Sequence, residues 1–280
     1  MKSLYTSNLL RRLILPLFAR FNPGDISIKH HYTGDKFQLH SFKHKGYWFH
    51  GENREKTTMM LFEKFIKQGA TVVEVGGHIG YISLFFAKLV GESGQVIVFE
   101  PGPNNLPYLL ENTSRHTHIV VKQSAVSDTE GELPFYVEEL TGQNNTLIKD
   151  FGTFTENKKV AHINTDYDYN ARMVNVVTLD GTLPQLIERL EFIKIDVEGA
   201  ELGVLQGAVN IIEKYKPIIM VESNSNGESL YKFFESIDYV PFSPNYGMIH
   251  NGKTMEHGNF FCIHLPSHPD EFAELSKIVD

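Results

Sequence analysis

The chain has 280 residues, of which 41% are hydrophobic and 12% aromatic, and this is enough apolar material for a sizeable core. A formal net charge of -8 argues against a protein whose main task is binding nucleic acid, because a polyphosphate backbone requires a basic surface. The single cysteine, Cys262, excludes an intramolecular disulfide and a thiolate metal cage, and we expect a cytoplasmic protein.

The N-terminal stretch "NLLRRLILPLFARF" mixes arginines with apolar residues. Its apolar core is too short to span a bilayer, and no small-residue cleavage site follows it. It predicts a helix packed on the domain; the alternative is a basic amphipathic surface in weak peripheral contact with anionic membrane. Residues 25–50 are rich in aromatic and β-forming residues and predict two or three short strands. Residues 1–50 are therefore interpreted as an N-terminal helix and a small β extension.

Residues 51–280 predict a Rossmann-like domain. After a helix over 52–67, buried strands alternate with helices, which is typical of a mostly parallel sheet covered on both faces. A hairpin is predicted around "EGELPFYVE", and the polar stretch at about 140–172 is interpreted as an excursion over the active face. The predicted strands are 71–75, 95–100, 118–126, 174–180, 192–196, 217–223 and 259–265. One predicted helix follows the first strand and ends at residue 90, and the other predicted helices are 103–114, 183–190, 200–215 and 227–237.

The first strand of the alternation ends in "VEVGGHIG", which opens a helix. Gly76, Gly77 and Gly80 suit a tight turn where the backbone comes close to a ligand, although a purely structural turn explains one or two of them. Glu74 would oppose the pyrophosphate of a dinucleotide at this helix N-terminus, but it would attract the ammonium and sulfonium groups of S-adenosylmethionine. The corner therefore favours S-adenosylmethionine as the cofactor.

Two further strand ends complete the predicted cofactor site. Glu100 ends the second strand, where a carboxylate can accept hydrogen bonds from both ribose hydroxyls of a nucleoside. Ser124 and Ala125 end the third strand and offer small groups and backbone amides to an adenine edge, with an ordinary strand end as the equally good alternative.

The stretch "FIKIDVEGAELGVLQGA" sets three carboxylates between a strand and a helix. Asp196 ends the strand beside the first one and is the leading candidate for the base that accepts a proton from an alcohol. The alternative is a carboxylate that accepts backbone N–H bonds at the turn. Glu201 fits a helix-start charge, and Glu198 is an unassigned neighbour. Glu222 ends the next strand, where it could assist catalysis or position a sugar hydroxyl.

Two alternatives stay open at this edge. Asp196, Glu222 and Asn224 could together offer oxygen ligands to Mg²⁺, although the ligand set is not matched to a known site and our prediction is no metal. His162, in the polar stretch, is a second candidate base, with a solvated loop histidine as the better interpretation.

In these motifs the chain resembles the FkbM family of S-adenosylmethionine-dependent methyltransferases. The similarity covers roughly residues 45–265 and is carried by "VVEVGGHIGYISLFFAKLVGESGQVIVFEPGPNNLPYLLENT", "VVTLDGTLP" and above all "FIKIDVEGAELGVLQGA". It implies a Rossmann-like class I methyltransferase fold, α/β, with a seven-stranded sheet and an antiparallel last strand. It also implies O-methylation of a hydroxyl on a sugar, glycan or polyketide-type natural product.

Two residues depart from the family pattern. Glu74 stands where the family usually has Asp, which keeps the charge, and Gly77 and His78 stand where it has "GAN". We interpret His78 as a cofactor contact, with a role as base or as space-filler the alternatives. The predicted cofactor site comprises Glu74, Gly76, Gly77, His78, Gly80, Tyr81, Glu100, Ser124, Ala125 and Asp196, and the predicted catalytic residues are Asp196, Glu222 and His78.

The predicted partner is a small-molecule or glycan acceptor. A nucleic-acid amino-methyltransferase is disfavoured because the fourth strand ends in "DVEG" where such enzymes carry Asn or Asp followed by Pro-Pro and an aromatic. A nucleotide-cofactor oxidoreductase and a non-catalytic module that binds cofactor or glycan are the competing hypotheses.

Overall fold

The computed structural model describes residues 23–138, 142–149, 170–224, 226–245 and 247–276. The chain divides into two compact units, Met1–Arg54 and Glu55–Asp280. The predicted N-terminal helix with its membrane contact, His162 and most of the predicted polar excursion lie outside the described residues. Among the helices that the structure describes, none has the length and apolar character needed to cross a bilayer.

The first unit contains an antiparallel pair of strands, β1 (Asp25–Lys29) and β2 (Lys36–His40), followed by helix α1 (Lys45–His50). The prediction of two strands is confirmed, but a third strand up to residue 50 is wrong because these residues form α1. The indole of Trp48 in α1 donates a hydrogen bond to the carbonyl of Ser41 at 2.8 Å, so the aromatic residues of this stretch anchor a helical turn.

The second unit is built on an eight-stranded sheet of order β12-β11-β13-β10-β9-β3-β4-β5. Strands β5, β4, β3, β9 and β10 are parallel, and β13 runs antiparallel to β10. The seven-stranded sheet with an antiparallel last strand that the family resemblance implies is present, and the two-residue β12 adds an eighth strand. The predicted strand over 174–180 does not belong to this sheet, and β11, which does, was not predicted. The strands are β3 (Thr71–Val75), β4 (Gln95–Phe99), β5 (Ile119–Lys122), β9 (Phe192–Ile195), β10 (Ile218–Ser223), β11 (Tyr239–Ser243), β12 (Gly247–Met248) and β13 (Gly258–His264).

Helices cover both faces of this sheet. Period-2 alternation sends successive side chains of each buried strand to opposite faces, and both faces are apolar. The helices of this unit are α2 (Lys56–Phe65), α3 (Tyr81–Val90), α4 (Leu106–Thr113), α5 (Leu179–Thr182), α6 (Glu201–Gln206), α7 (Val209–Tyr215), α8 (Gly227–Ser236) and α9 (Pro269–Ser276).

The two faces have different cores. On one face, aromatic rings of α2 and α3 pack on the sheet: Phe62 lies 4.9 Å from Phe86 and 5.6 Å from Phe192, measured between ring centroids. We call this the aromatic face. On the other face, an aliphatic cluster joins Val73, Ile193 and Ile219 of the strands to residues of α5 to α8. Both cores hold the carboxyl ends of β3, β4, β9 and β10 at one edge.

The predicted strand over 118–126 is wrong in one respect: it divides into β5, which belongs to the large sheet, and β6 (Ala125–Val126), which does not. Strand β6 pairs with β8 (Asn170–Val177), and β7 (Gly131–Val137) pairs with the other side of β8 in a three-stranded sheet. The predicted hairpin around "EGELPFYVE" is reduced to one antiparallel bridge between Tyr136 and Thr146, because β7 pairs over its whole length with β8, far along the chain. The start of β8 at Asn170 shortens the predicted polar excursion.

The predicted helix over 200–215 is interrupted at Gly207. A Cβ at Gly207 would lie 2.0 Å from the carbonyl oxygen of Ser127, so the backbones touch and the helix ends there. Helix α7 then starts afresh, with the carboxylate of Asp180 accepting hydrogen bonds from the backbone N–H groups of Asn210 and Ile211 at 3.1 and 2.8 Å. Helix α4 starts at Leu106, so its first-turn proline is Pro107 and not the predicted Pro103.

Candidate active site

The site is built on the aromatic face at the carboxyl edge of the sheet. Glu74 of β3 and Lys194 of β9 are register partners, and Met220 of β10 is the partner of Lys194 on the other side. Asp196, directly after β9, comes two residues beyond Lys194 and lies on the same face. Glu222 of β10 comes two residues beyond Met220, also on this face. Parallel register thus places Glu74, Lys194, Asp196 and Glu222 together.

Lys194 is the centre of this group. Its side chain is 4% exposed, and its Nζ lies 3.0 Å from Oδ2 of Asp196 and 3.8 Å from Oε1 of Glu74. Burial lowers the pKa of Lys194, but the negative charges of Asp196 and Glu74 outweigh this effect and raise it, so the amine stays protonated. Asp196 has 31% of its side chain exposed and is the end of this group that a ligand can reach.

Glu74 is buried, in contrast to the expectation of a carboxylate projecting into a ligand pocket. Its Oε2 accepts a hydrogen bond from the hydroxyl of Ser83 in α3 at 2.5 Å. Burial raises the pKa of Glu74 to about 7, and the charge of Lys194 opposes that rise. The direct partners of Glu74 are therefore Ser83 and Lys194.

The glycine corner has a steric reason. Gly76 has φ of +93°, and a Cβ there would lie 1.9 Å from the carbonyl oxygen of Asp196. Gly77 faces Val98, and Gly80, with φ of +87°, faces Leu109 of α4. The corner therefore lets β3, β9 and α4 approach one another, and Gly76 fixes the backbone that carries Asp196.

His78 and Glu100 meet through the backbone. His78 adopts φ of +47°, and its N–H donates to Oε2 of Glu100 at 2.7 Å. The other oxygen of Glu100 accepts from Gly102 N–H at 2.8 Å and from the Asn105 side chain at 3.3 Å. Burial raises the pKa of Glu100 to about 7, and these hydrogen bonds oppose the rise. The structure thus brings His78 to the second strand end by its main chain.

The remaining predicted cofactor residues lie close to the edge of the two sheets. Tyr81 is the first residue of α3 and is 3% exposed. Ser124 lies between β5 and β6, and Ala125 is paired with Val176 in the three-stranded sheet; both are buried. The side chains of Ser124 and Ala125 are small, and neither blocks this strand end.

The turn after β9 separates the roles of its two glutamates. Glu201 is 1% exposed, and its Oε1 accepts a hydrogen bond from Gly199 N–H at 2.7 Å, so it holds the turn that starts α6. Burial raises its pKa to about 7. Glu198 has φ of +52°, accepts a hydrogen bond from Nδ2 of Asn224 at 3.3 Å, and has a pKa raised by burial to about 8.

Glu222 shares the electrostatic environment of Asp196. The charge of Asp196 is the largest cause that raises the pKa of Glu222 to about 9, followed by burial and the charge of Glu198. At neutral pH the Glu222 carboxyl therefore carries a proton, which makes it a hydrogen-bond donor. Two of the possible Mg²⁺ ligands have other partners: the Asn224 amide donates a hydrogen bond to Glu198, and Asp196 contacts Lys194. Among the described residues, no group of His, Cys, Asp and Glu side chains could hold a metal ion.

Residues 142–149, part of the predicted excursion, connect two strand ends. The side chain of Asn105 donates to Gly142 O at 2.9 Å as well as to Glu100. At the other end, the hydroxyl of Thr146 donates to the carbonyl of Glu198 at 2.8 Å. The segment therefore links the corner after β4 to the turn after β9.

The family model described as "Methyltransferase FkbM domain" matches residues 74–243, which is more than half of the chain and contains every predicted site residue. The chain belongs to the FkbM methyltransferase family. This confirms the resemblance drawn from the glycine corner and the "FIKIDVEGAE" turn.

The curated relatives of this chain are distant. Methyltransferase sdnD of Sordaria araneosa is 26% identical over 155 residues, which covers 49% of this chain and 59% of that protein. Methyltransferase 1 of Beauveria bassiana is 24% identical over 144 residues, covering 49% and 57%. The matched region thus spans less than two thirds of either relative.

Two solved structures are similar to this chain. Methyltransferase FkbM from Methylobacillus flagellatus aligns with a TM-score of 0.45 and 20% identity over 69% of this chain and 44% of that one. Aeropyrum pernix fibrillarin, solved in complex with natively bound S-adenosyl-L-methionine, aligns with a TM-score of 0.42 and 10% identity over 86% and 94%.

Lys194 and Ser83 are part of the site but were not predicted from the sequence. Both lie inside elements that were interpreted only as packing: "FIKID" as a buried strand and the segment after Gly80 as an apolar helix. The available signal was a lysine flanked by Ile193 and Ile195, because a charged residue in a buried strand requires a partner. Asp196 and Glu222 are brought together as the strand order predicts.

Proposed function

We propose that this FkbM methyltransferase uses S-adenosylmethionine to methylate a hydroxyl of a sugar, glycan or polyketide-type natural product. One observation carries the proposal: Asp196, partly exposed and anchored by the Lys194 ammonium, stands beside the glycine corner at the end of the central strands. A carboxylate in this place can accept the proton of an alcohol.

The donor set of the site fits the cofactor. S-adenosylmethionine carries an ammonium, a sulfonium and a ribose diol, and carboxylates complement all three. Glu100 would hold the ribose, since the carboxyl end of β4 is where such folds bind nucleosides. Asp196, Gly76 and His78 would hold the methionine part. When bound, the cofactor supplies a methyl group on a positively charged sulfur, which is a good leaving group.

The residues of the chain perform the rest of the reaction. Asp196 would accept the proton of the acceptor hydroxyl, which makes the oxygen the nucleophile for the methyl group that a bound cofactor would supply. Glu222, protonated at neutral pH, donates a hydrogen bond that orients the acceptor.

The charges at this edge favour an acceptor without negative charge. The negative charges of Asp196 and Glu55 raise the pKa of Glu222, and one ammonium, Lys194, opposes them. A phosphorylated or sulfated acceptor would meet like charges, and this supports neutral hydroxyl compounds as substrates.

The test is incubation of the protein with S-adenosylmethionine and a panel of neutral glycans, sugars and polyketide alcohols, followed by mass spectrometry. We expect a gain of one methyl group in one class and formation of S-adenosylhomocysteine. Asp196→Asn is expected to lower kcat about 10²- to 10⁴-fold at saturating cofactor, because it removes the base, while cofactor binding measured by calorimetry weakens but is not lost.

Asp270→Asn, an exposed change on α9, is the matched control and is expected to keep full activity. Calorimetry without cofactor binding, together with no S-adenosylhomocysteine from any acceptor, would contradict the proposed function. Retention of full activity by Asp196→Asn would remove Asp196 from the mechanism while leaving methyl transfer intact.

A further inference from the structure

Lys194 is a charge inside a strand of apolar residues. Phe192, Ile193 and Ile195 are each at most 1% exposed, and Lys194 itself is 3% exposed. An apolar side chain in its place would avoid the cost of desolvation, and replacing a buried ion pair by apolar residues is often neutral or stabilising. Stability therefore does not explain a lysine here, and its contact with a candidate base suggests a different role.

We propose that Lys194 is a positioning residue for methyl transfer, which holds the Asp196 carboxylate toward the acceptor hydroxyl and is itself held by Glu74 and Ser83. This inference rests on the proposed function and names the residue that makes it work. Lys194 does not touch the substrate; it acts through Asp196.

A continuous chain of contacts supports this role. The Ser83 hydroxyl donates to Glu74 Oε2 at 2.5 Å, Glu74 Oε1 lies 3.8 Å from Lys194 Nζ, and Nζ lies 3.0 Å from Asp196 Oδ2. Ser83, Glu74 and Lys194 are buried. The side chain of Asp196, at the end of this series of contacts, is 31% exposed. The ammonium contacts Oδ2, so Oδ1 can accept the proton of a hydroxyl.

The register of the sheet explains why a lysine reaches this point. Residues 194 and 196 lie on the same face of β9, and Glu74 is the direct cross-strand neighbour of Lys194. The four-carbon stem spans the distance of about 7 Å between alternate residues of a strand and delivers the ammonium to the strand end. Glu74 neutralises the amine below that end.

The electrostatic consequence is a shift of the carboxyls to their ionised forms. The positive charge of Lys194 opposes the rise in pKa of Glu74, Glu198 and Glu222, each of which has a pKa raised mainly by burial or by Asp196. Removal of the ammonium favours protonation of the whole group. We expect the acid limb of the kcat profile to move to higher pH as Glu198 and Glu222 take up protons more readily.

The experiment compares Lys194→Met with the double variant Lys194→Met/Glu74→Gln. Lys194→Met leaves Glu74 without its counterion, and this alone can destabilise the fold. The double variant removes both charges of the buried pair, so no buried charge is left without a counterion at position 74. Asp196 still lacks the ammonium in this variant. At saturating cofactor, we expect kcat of the double variant to stay about 10²-fold low, with its acid limb raised by about one pH unit.

Lys194→Arg is expected to recover part of kcat, since it restores a cation near Asp196. The exposed pair Lys232 and Glu228, 2.8 Å apart on α8, provides the matched control: Lys232→Met/Glu228→Gln should leave kcat and the pH profile unchanged. A double variant at position 194 with the kcat and acid limb of the wild type would overturn the proposal, because Lys194 would then only neutralise Glu74.

A crystal structure of Lys194→Met/Glu74→Gln gives a readout that does not depend on turnover. We expect the Asp196 carboxylate to leave its wild-type position, and an unchanged Asp196 would count against the proposal even if no acceptor were found. Absence of methyl transfer in the wild type contradicts the proposed function, whereas an Asp196 that holds its place without Lys194 contradicts the positioning role alone.

Discussion

At the scale of single residues, the site depends on carboxyl groups whose surroundings assign them different protonation states. Glu201 accepts a hydrogen bond that stabilises the turn before α6, and Glu222 carries a proton at neutral pH. Asp196 forms an ion pair with the ammonium of Lys194. These groups are chemically alike, so burial and neighbouring charges decide what each can do.

Glu100→Gln is predicted to weaken cofactor binding and to remove its pH dependence near neutrality. The carboxylate accepts hydrogen bonds from His78 N–H and Gly102 N–H on separate oxygens, and the amide group of Gln cannot accept both. We expect the Kd for S-adenosylhomocysteine to rise about 10- to 100-fold by calorimetry. In the wild type, binding should strengthen as pH rises through about 7, where Glu100 ionises.

Glu92→Gln, an exposed change between α3 and β4, is the control for this prediction and should bind as the wild type does. An unchanged Kd for Glu100→Gln would place the ribose elsewhere. Loss of affinity without loss of the pH dependence would assign the titration to another group.

At the scale of elements, Gly76 joins β3 to β9. Gly76→Ala is predicted to destabilise the protein by about 2–4 kcal/mol, because the new Cβ would meet the Asp196 carbonyl and the backbone has φ of +93°. Urea denaturation measures the loss of stability. The displaced β9 end should also lower kcat, since it carries Asp196.

Gly131→Ala separates strain from collision. Gly131 also has positive φ, +133°, but a Cβ there would have nothing within 4 Å. This control should cost only about 1–2 kcal/mol. Equal losses in the two variants would mean that contact with Asp196 is unimportant.

Elements with a strong local pattern were predictable from the sequence. Strand β3 was predicted at its observed bounds, and β9, β10 and β13 to within one residue, because each is a short apolar run between polar turns. The break at Gly207 was not predictable, since its cause is the backbone of Ser127, 80 positions earlier. The split between β5 and β6 likewise depends on pairing with β8, which the local pattern does not encode.

The candidate site was predictable where it depends on strand ends and not where it depends on contacts within the core. Asp196, Glu100 and Glu222 follow strands that end at one edge, and the parallel order brings them together. Glu74 and Lys194 were not paired in advance, because register between two strands is set by packing and not by sequence spacing.

At the scale of the whole molecule, a group of buried carboxyls makes stability depend on pH. The pKa values of Glu74, Glu100 and Glu201 are raised to about 7, that of Glu198 to about 8 and that of Glu222 to about 9. A carboxyl whose folded pKa exceeds its unfolded value binds its proton more tightly when folded. Its contribution to stability is complete below the unfolded value of 4.5 and is lost as pH rises through the folded one.

Stability is therefore predicted to fall between pH 7 and pH 9. In this window Glu198 and Glu222 lose their protons in the folded state, whereas in the unfolded chain they are already ionised. His264, whose pKa is lowered by burial, is neutral in both states above pH 7 and does not oppose the trend. Urea denaturation across this window should give a decreasing free energy of unfolding.

Glu222→Gln removes the carboxyl with the highest of these pKa values and should flatten the fall in stability across the whole window from pH 7 to pH 9. Glu63→Gln, exposed on α2, should keep the wild-type slope. A free energy of unfolding that is constant or rises over this window would show that the carboxyls are ionised in the folded protein already at pH 7. Glu222 would then be a second base and not a hydrogen-bond donor, because a carboxylate has no proton with which to orient the acceptor.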